Sequence, residues 1–449
     1  MIRSKLKKAL RGNVMDRIGR ELDRSSRFFE AAVFIDAHAM NNDEASPFGY
    51  FECDRKVRVA TIDEATVVVK ALVAEGVDPI LVVPHTTANY STDFELDLGR
   101  LCEALPRSGR IALVAWSPYL RGLYALADSL GLRERPLPTT FLTDSDLRDL
   151  ARLSGLEVSR ARHAAWLVPA AGVFDLFAQS VLPLASFSKV FALANVYHLR
   201  STAPTTTTPS LSVVIPVRNE RGNIAPALDR LESWDRCPLE ILFVEGHSTD
   251  DSWGELERVQ AAYTGRHTVR IMRQTGKGKA DAVRMGFGVA TSELLTILDA
   301  DLTMPPELLH RFYDAWVAGH ADFINGSRLV YPMEDDSMRP LNRLGNVFFA
   351  RALSYVLDAH FGDVLCGTKL LRKRDYERMV KWRESFGDFD PFGDFELIFP
   401  AAVLALGSID IPIRYRARVY GETNISRFRH GAQLLRMAAV GLRRIKLSA

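Results

Sequence analysis

LLTILDADLTMPPELL, residues 294–309, decides how this chain is read. An apolar run enters two aspartates spaced i, i+2, Asp299 and Asp301, and two prolines, Pro305 and Pro306, then open the next helix. A buried strand that ends in two like charges must meet water, a ligand or a cation there. The spacing predicts a strand over 294–301 with both carboxylates at its carboxyl end.

Working outward, three similar strands precede it: LSVVIPV (211–217), LEILFVE (239–245) and VRIMRQ (269–274). Helical stretches alternate with them at 224–234, 252–263 and 280–290. β-branched apolar runs alternating with helices predict a mostly parallel sheet covered on both faces, with ligands bound at the carboxyl ends of its strands. Polar side chains collect at those ends. Pro216, Asn219 and Glu220 follow the first strand; Glu245, Ser248, Asp250 and Asp251 follow the second; Lys277 and Lys279 follow the third on a Gly-containing turn. Carboxylates so placed suit a divalent cation, Mg²⁺ or Mn²⁺, which neutralises a diphosphate leaving group without proton transfer. The two lysines suit phosphate or acceptor recognition.

At 449 residues the chain exceeds one ordinary core, so two domains are expected. The boundary falls at STAPTTTTPS, 201–210, which has no large apolar residue and reads as an extended linker. Residues 1–200 then form a smaller α/β domain, and 211–449 the second domain. Net charge is only +2, so no nucleic-acid footprint is expected. Four scattered cysteines predict neither a disulfide framework nor a zinc site, and fit a reducing cytoplasm. MIRSKLKKALRG lacks an apolar h-region and does not read as a secretory signal. Residues 178–197, the most apolar stretch, are broken by Ser180, Ser186, Ser188 and Lys189, so membrane contact would be peripheral, on the inner face of the cell membrane. From 411 to 449 nine Lys/Arg stand against one acid, Glu422. HGAQLLRMAAVGLRRIKL (430–447) is spaced as an amphipathic helix, with two readings open: a membrane-surface segment, or a helix packed on the domain.

Eight motifs in order carry a resemblance: VVIPVRNE, EGHSTDDS, GKGKADAVRMGF, ILDADL with PPE, GSR at 326–328, CGTKLLRK at 366–373, FGDFEL at 392–397 and RARVYGETNISRFRHG at 416–431. Residues 211–447 resemble glycosyltransferase family 2, the inverting GT-A fold enzymes with a Rossmann-like sheet, and within it the dolichyl-phosphate mannose synthase-like branch. The resemblance implies a nucleotide-sugar donor lying against Pro216, Asn219, Glu220, Glu245, Ser248, Lys277, Lys279 and Asp299. Asp299 and Asp301 would hold the metal, and Asp301 and Asp394 would be catalytic, with Asp394 at the position many relatives use as base. Arg328 and Lys369 would face phosphates or the acceptor. Glu245 replaces the usual Asp, Thr303 stands where polyprenyl-phosphate relatives often have Gln, and Asn424 where they carry Lys. Arg427 and Arg429 would supply that missing charge. The acceptor implied is a lipid phosphate or a glycan, as in cell-envelope glycan biosynthesis. The rival readings are a nucleotidyltransferase, against which the missing triphosphate loop counts, and a scaffold of two decayed domains.

Residues 78–200 resemble the later part of a class I SAM-dependent methyltransferase. The matching pieces are ILVVPHTTANY, RIALVAW, FLTDSDLRDLARLSGLEV and LANVYHLR. A strand is predicted at 31–35 and another in VRVATIDEA, with Asp63 as the acidic candidate after it. Only one glycine, Gly49, precedes that second strand, so the SAM-cradling loop is missing and SAM is not expected as a cofactor.

Overall fold

The computed structural model describes residues 2–36, 47–50, 52–130, 138–166, 190–331, 340–387, 390, 393–418, 420 and 427–447. The chain divides into two compact units: Met1–Ala203 with Val403–Ala405 and Arg443–Ala449, and Pro204–Ala402 with Leu406–Leu442. Each is mixed α/β with a mainly parallel sheet.

Unit 1 contains β1 Ala31–Ile35, β2 Arg55–Val59, β3 Pro79–Val83, β4 Arg110–Trp116, β5 Leu156–Trp166 and β6 Ala192–Ser201, in the order β2-β1-β3-β4-β6-β5. The first four are parallel. Strand β6 runs antiparallel between β4 and β5. AAVFI and PILVV read as unbroken apolar runs because both faces of the sheet are covered. Ala31, Val33 and Ile35 enter one core cluster while Ala32 and Phe34 enter the opposite one. The helix predicted at 142–155 forms as Asp144–Leu153, started by a capping box between Thr143 and Asp146. Strand β2 stops at Val59, so Asp63 lies in the first turn of helix Ile62–Ala74 rather than at a strand end, 3.4 Å from Arg100. The basic N-terminal stretch belongs to helix Ile2–Ser26. Residues 37–46, where the SAM loop was sought, lie outside the described residues.

Unit 2 contains β7 Leu211–Val217, β8 Leu239–Glu245, β9 Thr268–Arg273, β10 Leu294–Ile297, β11 Phe323–Ser327, β12 Lys369–Arg372 and β13 Ser408–Pro412, in the order β13-β11-β12-β10-β7-β8-β9. Strands β7 to β10 are parallel. Strand β12 is antiparallel to both neighbours, and β11 runs parallel to β13. Helices Arg221–Leu231, Ser252–Ala262 and Lys279–Val289 follow β7, β8 and β9. The last approaches β7 so closely that a Cβ on Gly286 would overlap the Val214 methyls.

Two boundaries differ from the sequence reading. Strand β10 ends at Ile297, four residues earlier than predicted, because pairing to β7 stops there. Nor is STAPTTTTPS simply extended: Ser201 completes β6, the Thr205 N–H donates to the Val317 carbonyl at 2.8 Å, and the Pro209 carbonyl accepts from Tyr313 at 2.8 Å. Near the chain's end, helix Arg427–Gly441 buries Leu434 and Met437 and leaves Leu435 exposed.

Candidate active site

The site is built where β10 runs out. Leu298 still donates its N–H to the Val214 carbonyl at 3.0 Å, and the chain then turns through Asp299, Ala300 and Asp301. Leu302 takes the left-handed conformation at φ 54°, uncommon for a branched side chain, and its N–H closes the turn on the Asp299 carbonyl at 3.2 Å. Pro216 sits beside this turn in β7. The ladder's next N–H toward β10 would be that of residue 216, and proline has none.

Each aspartate meets a different cation. Lys279 Nζ lies 2.5 Å from Asp299 Oδ1. Lys279 opens its helix directly after Gly278, whose φ of 86° makes the turn. Burial raises the pKa of Asp299, but the Lys279 ammonium, aided by Lys369 and Arg328, outweighs it and holds the carboxyl below its ordinary value. Burial opposes the charge on Lys279 too, and Asp299, Asp394 and Asp301 together raise its pKa above the lysine range. Gly367 packs against this pair so closely that a Cβ would strike both Lys279 Nζ and the Asp299 carboxylate.

Asp301 Oδ1 accepts from the Thr303 N–H at 3.1 Å and hydroxyl at 2.8 Å, while Oδ2 lies 2.6 Å from Arg418. Arg418 also reaches Glu220 Oε1 at 3.2 Å. Burial raises the pKa of Glu220; Asn223 and Arg418 counter it, and Asp301 and Asp250 add repulsion.

The ends of β7 and β8 are tied to each other. Asn219, at φ 56°, donates its N–H to Ser248 Oγ at 2.9 Å and accepts from the Thr249 N–H at 2.7 Å. Glu245 Oε1 accepts from the Ser248 N–H at 2.5 Å, so the longer Glu closes its own turn. His247 Nε2 meets the Gly276 carbonyl at 2.9 Å, joining this turn to the one that carries exposed Lys277.

Deeper in the unit, Lys369 is fully buried, with Nζ 2.5 Å from Asp394 Oδ1 and from the Cys366 carbonyl. It faces Asp394 rather than open space. Asp394 follows Gly393, at φ 85°, where a Cβ would crowd Ala280. Arg328 forms a two-bond pair with buried Asp363, at 2.7 and 2.9 Å, beneath the Tyr415 ring. Arg427 and Arg429 begin their helix, but their side chains, like Asn424, lie outside the described residues.

The structure thus gathers Asp299, Asp301, Glu220, Lys279 and, through Lys279 and Lys369, Asp394. Sequence reasoning missed Arg418, Asp363 and Gly367; Arg418 stands inside a quoted motif, yet no local spacing points it at Asp301. Among the described residues no cluster of three or more His, Cys, Asp or Glu forms a ready-made metal cage. The donors are nonetheless hard carboxylate oxygens of the kind Mg²⁺ and Mn²⁺ take, with partners supplied by substrate phosphates. Four carboxylates, Asp299, Asp301, Glu220 and Asp394, face three cations, Lys279, Lys369 and Arg418, so negative charge remains for a cation to meet. The residues fit a divalent ion, provided Arg418 yields Asp301.

Residues 212–380 match the family model described as glycosyl transferase family 2. The chain is 29% identical over 224 residues to a dolichyl-phosphate hexose transferase of Haloferax volcanii, covering 50% of this chain and 90% of that protein. It is 27% identical over 223 residues to a dolichol-phosphate mannosyltransferase of Pyrococcus furiosus, covering 48% of this chain and 59% of the relative's length. A mannosyltransferase structure from Pyrobaculum calidifontis, in complex with GDP-Man and Mn²⁺, is similar at 17% identity and a TM-score of 0.36, over 54% of this chain and 73% of that one.

Proposed function

We propose that this chain, whose residues 212–380 carry a glycosyltransferase family 2 domain, transfers a hexose from a nucleotide-sugar donor to a lipid-linked phosphate, with inversion. The observation that carries this reading is the cluster of Asp299, Asp301, Glu220, Lys279 and Arg418 at the carboxyl ends of β7 and β10. The names of the two curated relatives support the choice of a lipid-phosphate acceptor over a glycan.

The nucleotide lies along Pro216, Asn219, Glu220, Glu245 and Ser248, where the cross-tied turns fix the backbone before donor arrives. Asp299 and Asp301 hold the divalent cation, which when bound offsets charge on the departing diphosphate. Lys279, fastened by Asp299, presents a second fixed charge to the same phosphates, and Arg418 turns from Asp301 to meet them. An acceptor phosphate oxygen forms the new bond at the anomeric carbon as the bond to the diphosphate breaks and the diphosphate keeps the electron pair. A phosphate acceptor is already ionised and brings no proton to remove. Asp394 then positions, through Lys369 and beside Lys279, rather than acting as base; with a hydroxyl acceptor it would take the proton.

Unit 1, four parallel strands extended by an antiparallel pair, supports the methyltransferase-like resemblance in a non-catalytic form. The test supplies radiolabelled GDP- and UDP-hexoses with dolichyl or undecaprenyl phosphate and Mn²⁺. Label entering the organic phase as an acid-labile lipid product is expected. Sugar-dependent release of nucleoside diphosphate with no lipid product would move the acceptor to a glycan, and no turnover with any donor would refute the reading.

A further inference from the structure

Helix Pro340–Leu357 has its apolar residues on two sides, and only one side is buried. Phe349, Leu353, Val356 and Leu357 pack inward. At helical spacing Leu344, Phe348, Arg351 and Tyr355 fall along one narrow stripe at the centre of the opposite face. Leu344 is 68% exposed, Phe348 58% and Tyr355 41%, with Arg351 exposed among them. Helix Arg427–Gly441 packs alongside, its Gly441 against Val356, and turns Leu435, 56% exposed, and Arg436 outward.

Neither helix contains a single Asp or Glu. Asp358, just past the first helix, is the acid that faces Tyr355. Large apolar groups interleaved with guanidinium groups, on two adjacent helices free of carboxylates, match an anionic lipid interface. Leucine and phenylalanine enter the acyl boundary while arginine and tyrosine hold the headgroup level. A soluble protein surface would not repeat cations this way around exposed leucine and phenylalanine. Among the described residues no helix is long and apolar enough to cross a membrane, so contact through this face lies in the plane of the surface.

We propose that the outer face of helices Pro340–Leu357 and Arg427–Gly441 docks on an anionic phospholipid bilayer. The inference is independent of the transfer reaction, since binding needs neither donor nor acceptor. The test is co-sedimentation of the full chain with phosphatidylcholine vesicles made with and without phosphatidylglycerol, at low and high salt. Binding is expected only with phosphatidylglycerol and weakened by salt. Leu344→Glu combined with Phe348→Glu should reduce partitioning roughly tenfold or more at an unchanged melting temperature. Arg351→Ser, which removes no apolar surface, should lower binding severalfold, and Val67→Glu, at an exposed valine of unit 1, should leave it intact. Equal binding to neutral vesicles would overturn the proposal. So would binding indifferent to these substitutions, or concentration-dependent self-association through Phe348 without vesicle binding.

Discussion

The guanidinium of Arg418 lies 2.6 Å from Oδ2 of Asp301 across 117 residues of chain. A cation of the protein thus stands on the carboxylate proposed to hold a metal ion. Arg418→Gln should therefore bind Mn²⁺ several-fold more tightly in the absence of nucleotide while turning over donor more slowly. Calorimetric titration of Mn²⁺ checks the first half and a donor-turnover assay the second; unchanged or weaker Mn²⁺ binding would mean that Arg418 and the metal do not compete.

Asp299→Asn and Asp301→Asn should each lower metal-dependent turnover by about a hundredfold or more. They should differ in acid. Because the folded-state pKa of Asp299 is depressed, its ion pair contributes stability above the ordinary carboxylate value of 3.8 and loses it as pH falls through the lower, folded value. Asp299→Asn removes that acid limb. Denaturation measured from pH 5 downward decides it, and identical limbs in wild type and Asp299→Asn would contradict the assignment.

Unit 1 has its own acid sensitivity. His198 is fully buried, with Nε2 2.8 Å from Ser25 Oγ. Burial, helped by the nearby Arg160, Arg110 and Arg162 and opposed by Glu21, pushes its pKa down from 6.5 to about 3. The unfolded chain then binds a proton that the folded chain refuses, so stability falls as pH drops from 6.5 toward 3. Burial raises the pKa of Glu21, but Arg162, Arg24 and Arg160 bring it to about 2, so its contribution holds above 4.5 and fades below. In His198→Gln the loss between pH 6.5 and 4.5 should flatten while the steeper loss below 4.5 persists. Urea unfolding across that range provides the measurement.

Gly286 and Gly288 share one helix yet should respond oppositely. A methyl at 286 would overlap Val214, whereas nothing lies within 4 Å of one at 288. Gly286→Ala should destabilise by about 1–3 kcal/mol. Gly288→Ala should stabilise by about 0.5–1 kcal/mol, the helix-propensity gain. Equal shifts in the two urea midpoints would show that the close approach to β7 is not felt.

The parallel part of unit 2 was legible because β-branched runs buried on both faces leave little alternative. Where β10 stops was not: apolar pattern marks burial, and the run continues past the last paired residue at Ile297. The acidic half of the site was visible because like charges at strand ends are costly without a purpose. Its cationic half was visible only in part. Lys369 read as a phosphate-facing side chain because lysines are rarely buried, and short β12 instead carries it inward to Asp394. Arg418 answers to Asp301 through the fold alone. The exposed stripe of helix Pro340–Leu357 escaped notice because an apolar residue in sequence reads as core until its neighbours are placed.

Pro216 has an effect on the sheet as a whole. Continuing the register in which Ile297 faces Val214 would set Asp299 opposite Pro216. With no hydrogen on that nitrogen, the ladder cannot close another rung, and the proline acts as a zipper stop. It keeps the sheet from knitting Asp299 into itself as the chain folds, so the carboxylate is left facing the cleft before any ligand is there to hold it. A valine at 216 would give the strands a longer seam and a duller edge.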